Sequence, residues 1–409
     1  MKKNHIIALM VMLIIGAFSA FSQPMNNARN NAPDFAFPDK VAKDADVRLD
    51  KALREGNGQE IVNALVCFSL AKNAISPTLL PPVLEQIDSI RQTEKDECVK
   101  SILSYLQAKI YNDIYNSDRW NYDRRNTPEN VDTSDYTQWD GKKFKSTIAG
   151  FLKEACASIE IIGASPLSDW KEIINGDDYT YQCYPTLFDF IAYNSIDIYN
   201  TMAQHIAVLP MRFYLYDLII EPIPAFALVD GYSRDAHNLC SELVKLHSGH
   251  PASEITARIK AIQTISNLIY FQEDSNYNQL TAFKALYDEF ENSEWSCEVL
   301  LSYPSGIDDR QYVNMLRKAI VDFPNYMRIN ALKQKVAYAE QVQVDFNSPR
   351  NATPGKPFEL CVTLQNIDKA TINVFKSSQP MTEEPKRLDI TSTVLANLTG
   401  KYSTSVAPQ

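Results

Sequence analysis

Few side chains in this sequence are spaced for chemistry. His247 and His250 form an H-x-x-H pair. On an unbroken helix that spacing sets two imidazoles on one face, where they could ligate zinc. Gly249 and Pro251 interrupt the pattern beside them. The expectation is therefore a helix end, where imidazolium and Lys245 favour the carbonyl pole of the dipole. Asp177-Asp178 and Asp308-Asp309 have the look of general acid/base pairs. The first follows Gly176 in a polar turn and the second precedes a helical pattern, so both are expected to be solvated or capping carboxylates. No G-x-S-x-G, P-loop, G-x-G-x-x-G or H-E-x-x-H motif occurs. The residues give no catalytic, metal or cofactor set, and the chain reads as a non-enzyme.

Seven cysteines are present: Cys67, Cys98, Cys156, Cys183, Cys240, Cys297 and Cys361. None forms a CxxC pair, so neither a zinc site nor a dense disulfide scaffold is supported. Most fall in apolar stretches, which predicts plain buried thiols. The remaining candidate is aromatic. Tyr105, Tyr111, Tyr115, Trp120 and Tyr122 gather near Arg119, Arg124 and Arg125. Such a group can stack on sugars or peptides, or can pack helices with its polar tips at a wet rim. Tyr115, Arg119, Trp120 and Tyr122 are the candidate ligand or partner surface.

The elements that must position these residues are mainly helical. The chain has 409 residues, enough for two or more domains. A hydrophobic share of 45% with 22% charged residues is the composition of a folded protein. Twelve glycines are few for a large all-β or nucleotide-binding α/β protein. A net charge of -10 argues against nucleic-acid binding, which needs clustered cations. Lys2 and Lys3, the apolar run Ile6 to Phe18 and the small residues of Ala20-Phe21-Ser22 read as a signal peptide over 1–22. No cysteine lies near the expected cleavage before Gln23, and no later run is long enough to span a bilayer. The expectation is an exported protein, periplasmic or extracellular, without a lipid anchor or a membrane-spanning segment. Residues 23–44, rich in Asn, Pro and Ala, read as a flexible leader.

From 45 to 340 apolar residues recur at helical spacing. The stripes are Ile61-Leu65-Phe68, Val99-Leu103-Leu106-Ile110-Ile114, Phe144-Ile148-Phe151-Ala155-Ile159, Ala236-Leu239-Leu243-Leu246 and Ile255-Ile259-Ile262-Ile269. Roughly ten to twelve helices fit, paired antiparallel. Thr186 to Asp189 has capping-box spacing, Gly249 can close a helix, and Pro324-Asn325 ends another. Tyr312 to Pro324 looks like one helix of a tetratricopeptide-type repeat. Over 341–409 the period changes to two. Val342-Val344-Phe346 and Phe358-Leu360-Val362-Leu364 predict strands, Ile372 and Val374 a third, and Tyr402-Thr404-Val406 a later one. This stretch falls short of the roughly 100 residues of an immunoglobulin-like sandwich. The fold class expected is multidomain: a mainly α-helical, tetratricopeptide-like region, then an incomplete β-sandwich. The chain is expected to be the N-terminal part of a longer protein.

Several stretches resemble bacterial α2-macroglobulin-like proteins. They are ALREGNGQEIVNALVCFSLAKNAIS (Ala52 to Ser76), Gln86 to Arg125 with its SDRWNYDRR, YPTLFDFIAYNSIDIY (Tyr184 to Tyr199), Tyr312 to Pro324, PGKPFELCVTLQNIDKATINVFK, and Gly400-Lys401-Tyr402. The resemblance runs in order along almost the whole mature chain. It implies a macroglobulin-like sandwich at 341–409 and, for the complete protein, endopeptidase inhibition: a protease cuts a bait segment and is trapped. Proteases are the partners implied. Many relatives carry a thioester between a Cys and the Gln three residues on. Here those positions hold Leu70, Ser101, Ile159, Thr186, Leu243, Leu300 and Leu364, so this chain has no thioester pair. The bait region would lie downstream. The competing reading is an exported helical-repeat scaffold that binds peptides or glycans.

Overall fold

The computed structural model describes residues 36–126, 135–203, 207–209, 215–220, 231–271, 275–304, 309–347, 358–365, 369–376, 391–399 and 402–406. Residues 1–22, read as a signal peptide, and most of the stretch read as leader lie outside these residues. The chain divides into two compact units, Met1–Ser305 and Gly306–Gln409.

The first unit is helical. Its described α-helices are α1 (Pro38–Glu55), α2 (Gly58–Ile75), α3 (Leu80–Thr93), α4 (Glu97–Ser117), α5 (Arg119–Arg124), α6 (Gly141–Ala155), α7 (Ile159–Ile162), α8 (Asp178–Cys183), α9 (Leu187–Met202), α10 (Asp217–Ile220), α11 (Gly231–Leu246), α12 (Pro251–Leu268), α13 (Ser275–Glu289) and α14 (Ser296–Ser302). Helix α1 starts inside the stretch read as leader. Pro38 fits the first turn, where its missing N–H has no partner to lose. Ala42, Ala45, Leu49 and Ala52 then form a single buried stripe. The opposite face carries charge, as expected of the end helix of a stack.

Two residues, Gly56 and Asn57, link α1 to α2, and the Asn57 side chain caps α2 by accepting from Glu60 N–H at 3.1 Å. So short a link folds α2 back along α1, against which it packs. Helix α4 is capped by Asp96, whose carboxylate accepts from the N–H groups of Cys98 and Val99. Val99, Leu103, Leu106 and Ile110 are buried on the stripe that the sequence predicts, and α4 packs against α3 and α6. Helix α9 packs on α11, and α11 on α12. Helix α12 is buried around nearly its whole girth from Ser253 to Ile265. A helix so enclosed is the spine of its unit.

Burying α12 brings charged residues inside, and each finds a partner. Arg258 donates to Glu254 at 2.5 Å, to Glu289 at 3.0 Å and to Tyr216 Oη at 3.2 Å. Lys260 Nζ lies 2.5 Å from Asp197. Such pairing is the condition for keeping charge in a low-dielectric interior.

Ile269, placed by spacing on the α12 stripe, belongs instead to a strand. Helix α12 ends at Leu268, and β2 (Ile269–Phe271) pairs in parallel with β1 (Ala207–Leu209). The four shortest helices, α5, α7, α8 and α10, account for the excess over the expected helix number. At four to six residues they are too short to show a period.

The second unit contains α15 (Asp309–Asp322), α16 (Ile329–Glu340) and strands β3 (Gln343–Asn347), β4 (Phe358–Gln365), β5 (Lys369–Lys376), β6 (Thr391–Thr399) and β7 (Tyr402–Val406). The contact boundary thus falls before α15, whereas the hydrophobic period changes only at 341. Helix α16 packs on α15, and Leu316 and Leu332 are buried there. Strand β4 pairs antiparallel with β3 on one side and β7 on the other, and β5 pairs antiparallel with β6. Strand β6 was not among the expected strands. Its pairing with β5 is broken by a register shift at Ile372/Asn373.

Candidate functional site

The aromatic candidate sits where α4 ends and the chain turns back over α6. Helix α4 stops at Ser117, and the six residues of α5 cross its end. A short 3₁₀ turn, Tyr136–Gln138, then leads through Trp139 into α6. Asp140 caps α6 by accepting from Lys143 N–H at 2.8 Å. Gly141 opens α6 close to Asp123: a Cβ there would sit 2.1 Å from Asp123 Oδ1. Only glycine lets the two segments meet this closely.

Phe144 is fully buried at the centre of the group. Tyr122 lies 4.6 Å from it, Trp139 5.1 Å edge-on and Tyr115 5.8 Å, measured between ring centroids. Tyr111 extends the group by stacking on Trp139 at 5.2 Å and on Phe151 at 5.9 Å. Each such pair adds about 0.5–1.5 kcal/mol beyond the area it buries. Tyr115 is 1% exposed and donates its hydroxyl to Asp123 Oδ1 at 2.8 Å. Burial, and then that hydrogen bond, hold its phenol protonated well above the usual range. Tyr122 is also pushed up by burial, against the pull of Arg125.

Cations ring this core. Arg119 and Lys145 lie 5.6 Å and 5.7 Å from the Tyr115 ring, Arg125 4.9 Å from Tyr122 and Lys143 5.5 Å from Trp139. Arg119 also reaches Asp123 at 3.5 Å. Trp120 differs from the rest. It is 72% exposed, and Arg124 lies 5.4 Å from its ring. The four candidate residues therefore divide. Tyr115 and Tyr122 pack the helices together, Arg119 closes an ion pair at the rim, and Trp120 alone presents a large surface outward. Phe144, Tyr136 and Trp139 complete the group. Only Phe144 lies on a helical stripe, and the other two sit in a turn without period.

The histidine pair does not converge. His247 is buried, and its Nε2 lies 2.6 Å from Asp189 Oδ1. His250 is exposed, and its carbonyl accepts from Glu254 N–H as α12 begins. Gly249 stands between them at φ +85°, the left-handed conformation expected of it. Asp189 is fully buried and serves two elements. Its Oδ2 accepts from Thr186 N–H at 2.8 Å and from Thr186 Oγ1 at 2.7 Å, while Asp189 N–H donates to Thr186 Oγ1, which completes the capping box. Thr256 Oγ1 donates to Cys183 O at 3.1 Å nearby. The group pins the start of α9 to the end of α11. No sequence signal links Asp189 to His247, because a tertiary contact brings them together.

Asp177 caps α8 by accepting from Thr180 N–H at 2.9 Å, and Asp178 opens that helix. Asp309 opens α15, and Asp308 lies outside the described residues. Cys67, Cys156, Cys183, Cys240 and Cys297 are buried, while Cys98 is half-buried. Burial pushes the Cys156 and Cys297 thiols up to about 12 and Cys240 up to about 11. Among the described residues no group of three or more His, Cys, Asp or Glu could hold a metal ion, and no helix is long and apolar enough to cross a membrane. Comparison of the chain with protein-family models, curated proteins and solved structures finds no match.

Proposed function

We propose that this chain is the N-terminal part of an exported α2-macroglobulin-like endopeptidase inhibitor. In this reading the helical unit holds or orients the trap, and the strands of the second unit open the first macroglobulin-like sandwich. The bait lies downstream. One observation carries the reading: the segments that resemble the family fall, in order, on helices and strands of the described residues. Tyr184 to Tyr199 spans the capping box and most of α9. Tyr312 to Pro324 covers most of α15. PGKPFELCVTLQNIDKATINVFK contains β4 and β5, and Tyr402 opens β7, which pairs with β4. A three-stranded and a two-stranded antiparallel sheet are what the two layers of a sandwich need at its start.

The test is a trapping assay with the native protein from its own cells. An endopeptidase incubated with it should keep its activity on a small amide substrate and lose most of its activity on a large protein substrate. Equal activity on both would reject inhibition by trapping.

A further inference from the structure

We infer that the corner formed by Trp120 and Arg124 on α5 docks an acidic segment of a protein partner. Trp120 is 72% exposed, whereas Trp139 and Trp170 are 4% and 5% exposed. Arg124 lies over the Trp120 ring, is itself exposed, and has no carboxylate within ion-pair distance among the described residues. A guanidinium laid on an indole keeps its N–H edge free for a carboxylate, so ring and charge are offered together. The nearby described acids are engaged by other groups: Asp123 accepts from Tyr115 and pairs with Arg119, Asp140 caps α6, Asp118 accepts from Asn121, and Asp135 accepts from Thr137 and Gln138. Arg124 is thus an exposed guanidinium without a carboxylate among the described residues, on a chain whose net charge is -10. Acidic groups meet repulsion over most of such a molecule and attraction here.

The composition points to a protein. Tryptophan and arginine are the side chains most enriched where binding energy concentrates. Insertion into a lipid surface needs a whole apolar helix face, and α5 offers one exposed large apolar side chain. The rigid aromatic core beneath holds α5 in place, so little order has to be gained on binding.

The test is fluorescence anisotropy of labelled poly-L-glutamate titrated with the full chain, repeated with heparin and with phosphatidylglycerol vesicles as competitors. Saturable binding is expected, weakened about tenfold or more by Arg124→Glu and by Trp120→Ala and unchanged by Arg54→Glu on the distant α1. Far-UV circular dichroism checks that each variant folds. Absence of saturable binding would overturn the proposal, as would equal weakening by Arg54→Glu. Preferential binding to heparin or to vesicles over poly-L-glutamate would overturn it as well, in favour of a glycan or a membrane.

Discussion

Buried contacts at the residue scale explain why side chains that could do chemistry are occupied elsewhere. Asp189 is spent on Thr186 and His247. Removing the imidazole would leave a buried carboxylate without its compensating group, which costs about 3–5 kcal/mol. His247→Ala should lower the urea midpoint by the corresponding amount, while Thr186→Ala, which removes the cap and the hydroxyl donor to Asp189 Oδ2 but leaves the Thr186 N–H donating there, should cost about 1–2 kcal/mol. Equal small effects would show that the pair does not hold α9 and α11 together. The thiols give a second prediction. Cys98 should react with a thiol reagent in the folded chain well before Cys67, Cys156, Cys183, Cys240 and Cys297, read by peptide mapping of the labelled protein. They also set a pH dependence. Burial raises the folded-state Cys156, Cys240 and Cys297 thiols above their unfolded value, so the protonated thiol favours the fold. Their contribution is intact below the unfolded value near 9 and is lost as pH rises through about 11 to 12. Stability followed by urea unfolding should therefore fall on the alkaline side of pH 9.

Elements were legible where their signal was periodic and long. The stripes of α4, α6, α11 and α12 name mostly buried residues, because a long helix can bury an apolar face only at that spacing; Ile114 and Phe151 are half-buried, Leu246 is exposed, and Ile159 and Ile269 fall beyond the helices assigned to them. The capping box at Thr186 and the left-handed Gly249 were legible because their chemistry is local. The start of α1 was not, because alanines carry its buried stripe and read as leader composition. Ile269 was misplaced because seven residues after Ile262 complete about two helical turns, while spacing alone does not say where a helix stops; pairing with Ala207 decides the outcome. The aromatic group was half legible. Its residues stood out, but their division into core and surface depends on α5 folding over α6 at Gly141. Gly141→Ala would push a methyl into Asp123 and should destabilise the chain by about 1–3 kcal/mol, although alanine is the better helix former. Thermal unfolding checks this, and a stabilised variant would mean that the two segments are not in close contact.

At the scale of the whole molecule, the change from helical period to strand period near 341 and the contact division at Ser305 do not coincide. Helices α15 and α16 belong with the strands, since contacts and not periodicity define a compact unit. A chain ending at Ser305 should therefore keep cooperative unfolding and its helical circular dichroism, whereas one ending within α4 should not. The inhibitor proposal makes a further demand at this scale, because a trap needs bait and further sandwiches beyond these residues. The most direct measurement is an immunoblot of fractionated cells with an antibody against the helical unit. The proposal expects a periplasmic band several times heavier than the 46.3 kDa of this chain. A single exported band near 46.3 kDa would contradict it and leave a helical binding scaffold in its place.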